Sequence, residues 1–276
     1  MFDLAALESD LAHTIFAGNL HFAAVTGSTN SDAMAAARNG APHGSVWLAD
    51  EQLAGRGRGG HAWHSAAGQG LYVSVLLRPQ LPAASLPLLP LVAGLAAAHA
   101  IRAVSSLAVD LRWPNDLLIG PRKAGGILIE ARNDSEGLPH AVVLGIGINV
   151  HQRSFDAGLP PQRRGPVAGD PGIATPATSL DLAAGRTISR QTLLIALLKS
   201  LQRETNALLD PGEAAKVPTR VGQASTWVRG RNVEVHGPQA CVGVTDGLDE
   251  QGFLRVQTAA GLVIVQTGGI RAPEIN

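Results

Sequence analysis

The pattern of predicted elements changes near Gly222, and this change constrains the fold more than any other feature of the chain. Upstream of it, alanine- and leucine-rich segments of helical length alternate with aliphatic runs of strand length. Downstream of it, short apolar runs are separated by turn residues, which is the pattern of a small all-β module. We therefore predict an α+β domain over residues 1–218, followed by a small barrel-like β domain over residues 219–276.

The individual elements follow from the same patterns. Helices are predicted at Thr29–Asn39, Leu86–Val104 and Ser189–Leu209. Strands are predicted at Ser45–Ala49, Leu71–Leu77, Ala108–Arg112, Gly126–Ala131 and Ala141–Val150, and in the second domain at Asn232–His236, Ala240–Thr245, Phe253–Gln257 and Leu262–Thr267. The segment from Gln152 to Thr178 is dense in proline, glycine and arginine and is predicted to be a long surface loop.

Composition excludes several classes of protein. With 276 residues, 45% hydrophobic and 16% charged, the chain can bury a sizeable core. Its 22 basic residues balance 22 acidic ones, so no overall field attracts it to nucleic acid or to an acidic membrane. The apolar run Leu86–Val104 contains two prolines, a histidine and an arginine, and the N-terminus lacks the basic start of a secretory signal. Cys241 is the single cysteine, so we expect a cytoplasmic protein without disulfides.

The segment Gln52–Trp63 carries the strongest functional signal. Four glycines among residues 55–60 allow the backbone to approach a ligand closely, and Arg56 and Arg58 supply forked donors for phosphate or carboxylate. The segment lacks the P-loop pattern, and no helix follows its Gly-x-Gly-x-x-Gly spacing. An ordinary exposed loop and an RGG-like nucleic-acid tract are the alternatives, but the unit is single and the chain is neutral. We predict a loop that binds an anionic ligand.

Two short polar clusters have both structural and functional interpretations. Ser28 or Thr29 is well placed to cap the following helix, and together with Asn30 the same residues could bind a polar head group at the helix N-terminus. Asn115 and Asp116 follow a proline that ends a strand. They form either an Asx turn or an amide and a carboxylate placed for Mg²⁺ or a ribose.

Lys123 is notable because arginine is the usual cation of this chain. The sequence holds nineteen arginines and three lysines, so a compact charge before Gly125 and Gly126 suggests a specific role, although surface lysines are usually only solvated. Gly145 and Gly147 interrupt a predicted strand, which indicates close approach of either a ligand or a packed helix. No histidine or cysteine spacing predicts a zinc site.

Taken in order, these motifs resemble those of the biotin–protein ligase family. The resemblance implies a mixed sheet with helices, of the class II synthetase-like type, and a small C-terminal SH3-like β-barrel. It also implies a two-step reaction with MgATP and biotin as substrates and no tightly bound cofactor: formation of biotinyl-5′-AMP, then transfer to a lysine of a biotin carboxyl carrier protein. The motifs that carry it are Ser28-Thr29-Asn30, the Gln52–Trp63 loop, Arg112-Trp113-Pro114-Asn115-Asp116, Lys123-Ala124-Gly125-Gly126-Ile127-Leu128 and Gly145-Ile146-Gly147-Ile148-Asn149.

By this resemblance the site residues divide into three groups. Lys123 and Arg58 are the expected catalytic residues. Biotin and the adenylate are expected to contact Ser28, Thr29, Asn30, Gln52, Gly55, Arg56, Gly57, Arg58, Trp63, Lys123, Gly125 and Gly126. Asn115, Asp116 and Asn149 are expected on the nucleotide side, with Asp116 as a ligand of Mg²⁺.

The chain departs from the family pattern in two places. Family members often carry further arginines where this loop has Gly59 and His61, so positive charge at its far end is reduced. The 27 residues before Ser28 are too few for the DNA-binding head of the family's repressor members, so we expect a monofunctional enzyme that binds neither nucleic acid nor membrane, as a monomer or homodimer. A lipoate or octanoate ligase of the same superfamily and a non-catalytic biotin-binding regulator are the alternatives.

Overall fold

A computed structural model of the chain describes residues 2–78, 81, 83–133, 139–155 and 175–273. The first of its two sheets has seven strands, and only the first pair is parallel. The strands are β1 (Leu20–Thr26), β2 (Val46–Gln52), β3 (Gly70–Leu77), β4 (Asp110–Arg112), β5 (Asp116–Ile119), β6 (Arg122–Asn133) and β7 (Pro139–Asn149). Their order in the sheet is β1-β2-β3-β7-β6-β5-β4, which confirms the mixed sheet.

The described residues form seven α-helices, and the two longest lie together against one face of this sheet. The helices are α1 (Leu4–Asp10), α2 (Thr29–Arg38), α3 (Leu89–Ser105), α4 (Leu180–Ala184), α5 (Arg190–Ala207), α6 (Pro211–Ala214) and α7 (Val217–Gln223). Helix α3 is apolar on almost every side and packs against both α5 and the sheet. The helical stretch Ser85–Ser105, which includes α3 and part of the 3₁₀ turn before it, is long and apolar enough to cross a membrane, but about two-thirds of its apolar 18-residue window is buried, as expected for the central helix of a globular fold.

Helix α2 covers the opposite face of the sheet. Along β3, Val73, Val75 and Leu77 join the main core, whereas Leu76, between the last two, joins Ala33 and Ala37 of α2. Since successive side chains of a strand point to opposite faces, β3 is buried on both sides. The N-terminus of α2 is thereby placed at the end of β1, over the middle strands β3, β7 and β6.

The segment Trp113-Pro114-Asn115 forms a hairpin loop between β4 and β5. Arg112 and Asp116 are directly opposite each other across it, and the Trp113–Pro114 peptide bond is cis. The sequence predicts a turn here but misses β5, because four residues of mixed polarity carry too little periodicity.

The C-terminal strands form a second, antiparallel sheet. It consists of β8 (Arg229–His236), β9 (Cys241–Leu248), β10 (Leu254–Thr258), β11 (Gly261–Val265) and β12 (Gly269–Arg271), in the order β11-β10-β9-β8-β12. The four predicted strands are confirmed and the short β12 is added. Closure into an SH3-like barrel and the boundary at residue 218 stay predictions. Most of the loop predicted for residues 152–178 lies outside the described residues.

Candidate active site

A cavity of about 720 Å³ lies between the two sheets. The loop after β2, the N-terminus of α2, the β4–β5 hairpin and the start of β6 form one side of it, and the ends of β8 and β12 form the other. Twelve of the fifteen predicted site residues line it: Ser28, Thr29, Asn30, Gln52, Arg56, Gly57, Arg58, Trp63, Asn115, Asp116, Lys123 and Gly126. The fold therefore brings together motifs that are up to about a hundred residues apart in the sequence.

The N-terminus of α2 is capped from outside the helix. Ser28 occupies the cap position, but its side chain makes no capping hydrogen bond. Instead, the Gln52 carbonyl oxygen accepts from the Thr29 backbone N–H at 2.9 Å and from the Thr29 hydroxyl at 3.1 Å. The Gln52 amide then donates to Ser65 Oγ at 2.8 Å. Gln52 thus ties the start of the glycine–arginine loop to its end and to α2.

Asn30 is fixed in one orientation. Its amide nitrogen donates to Glu130 Oε2 at 2.9 Å, and its carbonyl oxygen accepts from the Ser74 hydroxyl. A carboxylate only accepts, so this contact determines which end of the amide faces β6. A Cβ at Gly145 would overlap Asn30 Oδ1, so the glycine is required by the close approach of α2 to β7. The strand–helix interpretation of Gly145 is therefore the one that the structure supports.

Both arginines of the loop are held by protein acceptors. Arg56 Nη2 donates to Glu130 Oε2 at 2.8 Å and to Ser31 Oγ at 3.2 Å. Arg58 Nη1 donates at 2.8 Å to the carbonyl of Gly268, the residue just before β12 of the second sheet. Burial lowers the pKa of Arg58, and the nearby Asp116 raises it in part. The loop, which contains a short 3₁₀ turn at Arg58–Gly60, is thus closed against both sheets.

Trp63 ends the loop on the surface of β7. A Cβ at Gly147 would lie 2.6 Å from Trp63 Nε1, so only glycine leaves room for the indole there. The Lys123 ammonium is 5.7 Å from the centroid of the Trp63 ring, a distance at which the cation is attracted to the ring face. The glycine of β7 therefore sets the position of an aromatic wall beside the predicted catalytic lysine.

Lys123, Arg112 and Asp116 form a charge cluster in which Arg112 and Asp116 are largely buried and Lys123 is partly exposed. The Asp116 carboxylate is ion-paired through one oxygen to Lys123 and through the other to Arg112. The backbone of Lys123 is also fixed, because its N–H donates to the Pro176 carbonyl at 2.8 Å and its carbonyl accepts from Thr178 at 2.9 Å. Burial raises the pKa of Asp116, but Lys123 and Arg112 together lower it by more than burial raises it. The net pKa of Asp116 is therefore below its usual value. The cluster holds the lysine ammonium at the cavity wall.

Comparison with known proteins assigns the chain to a family. A model of the biotin/lipoate A/B protein ligase family matches residues 22–149. The chain is 32% identical to the bifunctional ligase/repressor BirA of Bacillus spizizenii, over 89% of this chain and 71% of that protein. It is 34% identical to the biotin–[acetyl-CoA-carboxylase] ligase of Mycobacterium tuberculosis, over 91% and 88%. This chain belongs to the biotin protein ligase family.

The solved structures agree with this assignment. The biotin protein ligase of Aquifex aeolicus in complex with biotin and ATP matches with a TM-score of 0.74 at 27% identity, covering 92% of this chain and 98% of that one. The resemblance to biotin protein ligases and the prediction of an enzyme are confirmed. The monofunctional type stays a prediction.

Three residues predicted for the ligase site do not line the cavity. Gly55 is packed against the backbone of Trp63, and Gly125 lies where a side chain would strike the Gly147 carbonyl of β7. Asn149 is buried and donates to the Thr178 carbonyl at 3.0 Å. In this structure these residues support the backbone around the cavity.

The predicted role of Asp116 as a Mg²⁺ ligand stays a prediction. Both of its oxygens are engaged by cations in this structure. Among the residues that the structure describes, no group of three or more histidine, cysteine, aspartate or glutamate side chains is placed to hold a metal ion. In this structure the Asp116 carboxylate holds Lys123 and Arg112 in place through its two ion pairs.

Sequence reasoning missed the residues that reach the site only through tertiary structure. Ser74 and Glu130 hydrogen-bond to Asn30 from β3 and β6, and nothing in their local sequence distinguishes them from other strand residues. The second sheet contributes its cavity-lining residues at the ends of β8 and β12: His236, Gly237, Pro238, Thr267, Gly268, Gly269, Ile270 and Arg271. The Gly237-Pro238 and Gly268-Gly269 pairs are the only local pattern among these residues. They predict turns and do not indicate a ligand site.

Asp116→Asn is expected to lower the stability of this ligase by roughly 3 kcal/mol at neutral pH, because the buried Arg112 and the partly buried Lys123 lose their counter-charge. The folded pKa of Asp116 lies below its ordinary value of 3.8. The stabilising contribution is therefore complete above that value and is lost as the pH falls through the folded pKa. Urea unfolding of the wild type and of Asp116→Asn between pH 7 and pH 2.5 tests this pH dependence. The difference in free energy of unfolding should shrink below pH 3.8, and a constant difference contradicts the assignment.

Proposed function

We propose that this chain is an ATP-dependent ligase that activates biotin as biotinyl-5′-AMP and transfers it to a lysine of a biotin carboxyl carrier protein. The observation that carries the proposal is that one cavity is lined both by neutral hydrogen-bonding groups, called here its uncharged end, and by an excess of cations, called here its cationic end. Neutral donors and acceptors from α2 and Gln52 form the first end. The charged residues that line the cavity among the described residues are five cations and one carboxylate: Arg56, Arg58, Arg112, Lys123, Arg271 and Asp116.

The uncharged end suits the ureido head of biotin. A cyclic urea has two N–H donors and one carbonyl acceptor, and its burial is favourable only when these groups are paired. Ser28, Thr29 and Asn30 are all buried and line this end together with Gln52. Lipoate has a dithiolane ring without these donors, so a site built from hydroxyls and amides favours the urea.

The cationic end suits the first chemical step. A carboxylate oxygen of biotin attacks the α-phosphorus of ATP, the bond to the bridging oxygen of the β-phosphate breaks, and pyrophosphate leaves. Two anions must meet, so the repulsion between them is the main barrier that fixed cations can lower. Lys123 and Arg58 are the groups assigned to this task. Mg²⁺ enters with the triphosphate as part of the substrate.

The second step needs the same cations. The amine of the acceptor lysine attacks the acyl carbon of the mixed anhydride, the bond between that carbon and the phosphate oxygen breaks, and AMP leaves while the amine loses a proton. Lys123 beside the acyl phosphate stabilises the negative charge that develops on the leaving phosphate. Relatives are named for acetyl-CoA carboxylase, which supports the carrier domain of that enzyme as the acceptor.

Mass spectrometry of a carrier domain tests the proposal. Incubation of the chain with MgATP, biotin and a biotin carboxyl carrier domain is expected to add one biotinyl group to the acceptor, and biotin is expected to drive exchange of labelled pyrophosphate into ATP. A parallel reaction contains lipoate in place of biotin. Modification with lipoate alone contradicts the biotin assignment, and biotin binding without exchange or transfer indicates a non-catalytic regulator.

A further inference from the structure

A continuous series of side-chain hydrogen bonds joins the base of the glycine–arginine loop to the arginine in its middle. We call it the α2 network. From the loop end it runs through Gln52 to Thr29. The Ser74 hydroxyl, with its single proton, then lies within hydrogen-bond distance of two acceptors, Thr29 Oγ1 at 2.7 Å and Asn30 Oδ1. From Asn30 it continues to Glu130 and ends at Arg56. The residues of the network, in order, are Ser65, Gln52, Thr29, Ser74, Asn30, Glu130 and Arg56.

Glu130 lies outside both the loop and the cavity lining, yet its side chain contacts Asn30 in the cavity lining and Arg56 in the loop. A single oxygen, Oε2, accepts from Asn30 at 2.9 Å and from Arg56 at 2.8 Å. One donor belongs to the uncharged end of the cavity and the other to the loop that covers it. Since the carboxylate has no donor of its own, it can hold both groups only while both point toward it.

The two contacts of Glu130 depend on each other geometrically. Asn30 approaches β6 because Gly145 leaves room for its amide, and its other end is held by Ser74. Displacement of Asn30 therefore leaves Glu130 with Arg56 alone. The Arg56 side chain is 44% exposed, so water can replace Glu130 as its partner when the loop opens. We call the uncharged end of the cavity, lined by Ser28, Thr29, Asn30 and Gln52, the head pocket. Closure of the loop and the position of Asn30 in the head pocket are thus linked through the Glu130 carboxylate.

We propose that Glu130 is a positioning residue that couples occupancy of the head pocket to closure of the glycine–arginine loop. The inference rests on the proposed function and adds a residue to it. A ligand that orders Asn30 also fixes Glu130, and Glu130 then retains Arg56 in the closed position. Loss of the carboxylate separates the two events while leaving the groups that contact the reacting atoms in place.

A double-mutant cycle tests the coupling in the full chain. The variants are Glu130→Gln, Arg56→Gln and the double variant, because glutamine keeps the size of glutamate but adds a donor where two donors already converge. Each single variant is expected to speed release of bound biotinyl-AMP roughly fivefold, and the double variant no more than either one. For Glu130→Gln, the KM for biotin should rise by a similar factor while kcat for pyrophosphate exchange stays within about twofold.

Hydrogen exchange of residues 55–61 supplies a readout that a merely structural role does not change. Biotin should protect these amides in the wild type and much less in Glu130→Gln, with the thermal midpoint of the variant unchanged. Glu213→Gln is the matched control, because it removes one partner of an exposed ion pair with Lys216 away from the cavity. This control should leave the rate of biotinyl-AMP release, the KM for biotin and the hydrogen exchange of the loop amides unaltered.

Distinct results separate failure of this inference from failure of the proposed function. Absence of biotin-dependent exchange in the wild type overturns the function. Two results overturn the coupling while wild-type pyrophosphate exchange is normal. In one, the effects of the two single variants on biotinyl-AMP release multiply in the double variant. In the other, biotin fully protects the loop amides from hydrogen exchange in Glu130→Gln.

Discussion

Lys123→Ala is expected to slow formation of biotinyl-5′-AMP about a thousandfold. The ammonium lies at the cavity wall, held by Asp116 and by the backbone contacts on both sides of the residue. Removal of a preorganised cation leaves the repulsion between carboxylate and α-phosphate uncompensated, and water is a poor substitute in a partly buried site. Single-turnover measurement of adenylate formation under saturating biotin and MgATP gives the rate directly.

The fold of this variant should persist, because Arg112 remains paired with Asp116 through its second carboxylate oxygen. Lys199→Ala is the matched control, since Lys199 is an exposed lysine of α5. Biotin binding by Lys123→Ala, measured by calorimetry, should weaken far less than the chemical step. A single-turnover rate within tenfold of the wild type contradicts the catalytic assignment.

Gly145→Ala is expected to raise the KM for biotin at least tenfold, which is the effect of losing roughly one or two buried hydrogen bonds. The new methyl group would occupy the position of Asn30 Oδ1, so Asn30 must leave its contacts with Ser74 and Glu130. Because Asn30 is nearly fully buried, its polar groups cannot find water as a replacement. Steady-state exchange kinetics at varied biotin measure the change.

The control for Gly145→Ala is Gly222→Ala. A Cβ at Gly222 meets no atom within 4 Å, and this exposed position in α7 lies away from the cavity. It should leave the KM for biotin unchanged. If Gly145→Ala also leaves that KM unchanged, then β7 and α2 can separate without disturbing the head pocket, and Asn30 does not contribute to it.

Much of the fold could be predicted because its main elements have strong local patterns. Helix α3 and strand β3 are long and apolar, and the turn residues after Gly222 separate four strands clearly. The sequence does not predict strands β5 and β12, because they are only four and three residues long. Such segments become strands through pairing with neighbours, and their own sequence does not decide it.

The sequence predicts many of the individual residues of the candidate site, but few of the contacts between them. Glycine-rich and polar motifs indicated Ser28, Gln52, Arg58 and Lys123 from local chemistry. For Gly145 the residues left a ligand and a helix contact equally open, and the position of Asn30 decided between them. Asp116 had two local interpretations, and its pairing with both Arg112 and Lys123 became visible only when the β4–β5 hairpin was placed beside β6.

By itself the sequence indicated the family, the order of the two sheets along the chain and the residue types that we propose to bind an anion next to a polar head group. Those properties depend on side chains within about ten residues of one another, where spacing along the chain limits the geometry. Only the tertiary structure decided which partners hold these residues: Arg58 contacts Gly268 across 210 positions, and Asn30 contacts Glu130 across 100. Such contacts depend on strand register and on how the two sheets pack, and neither is encoded in any single segment.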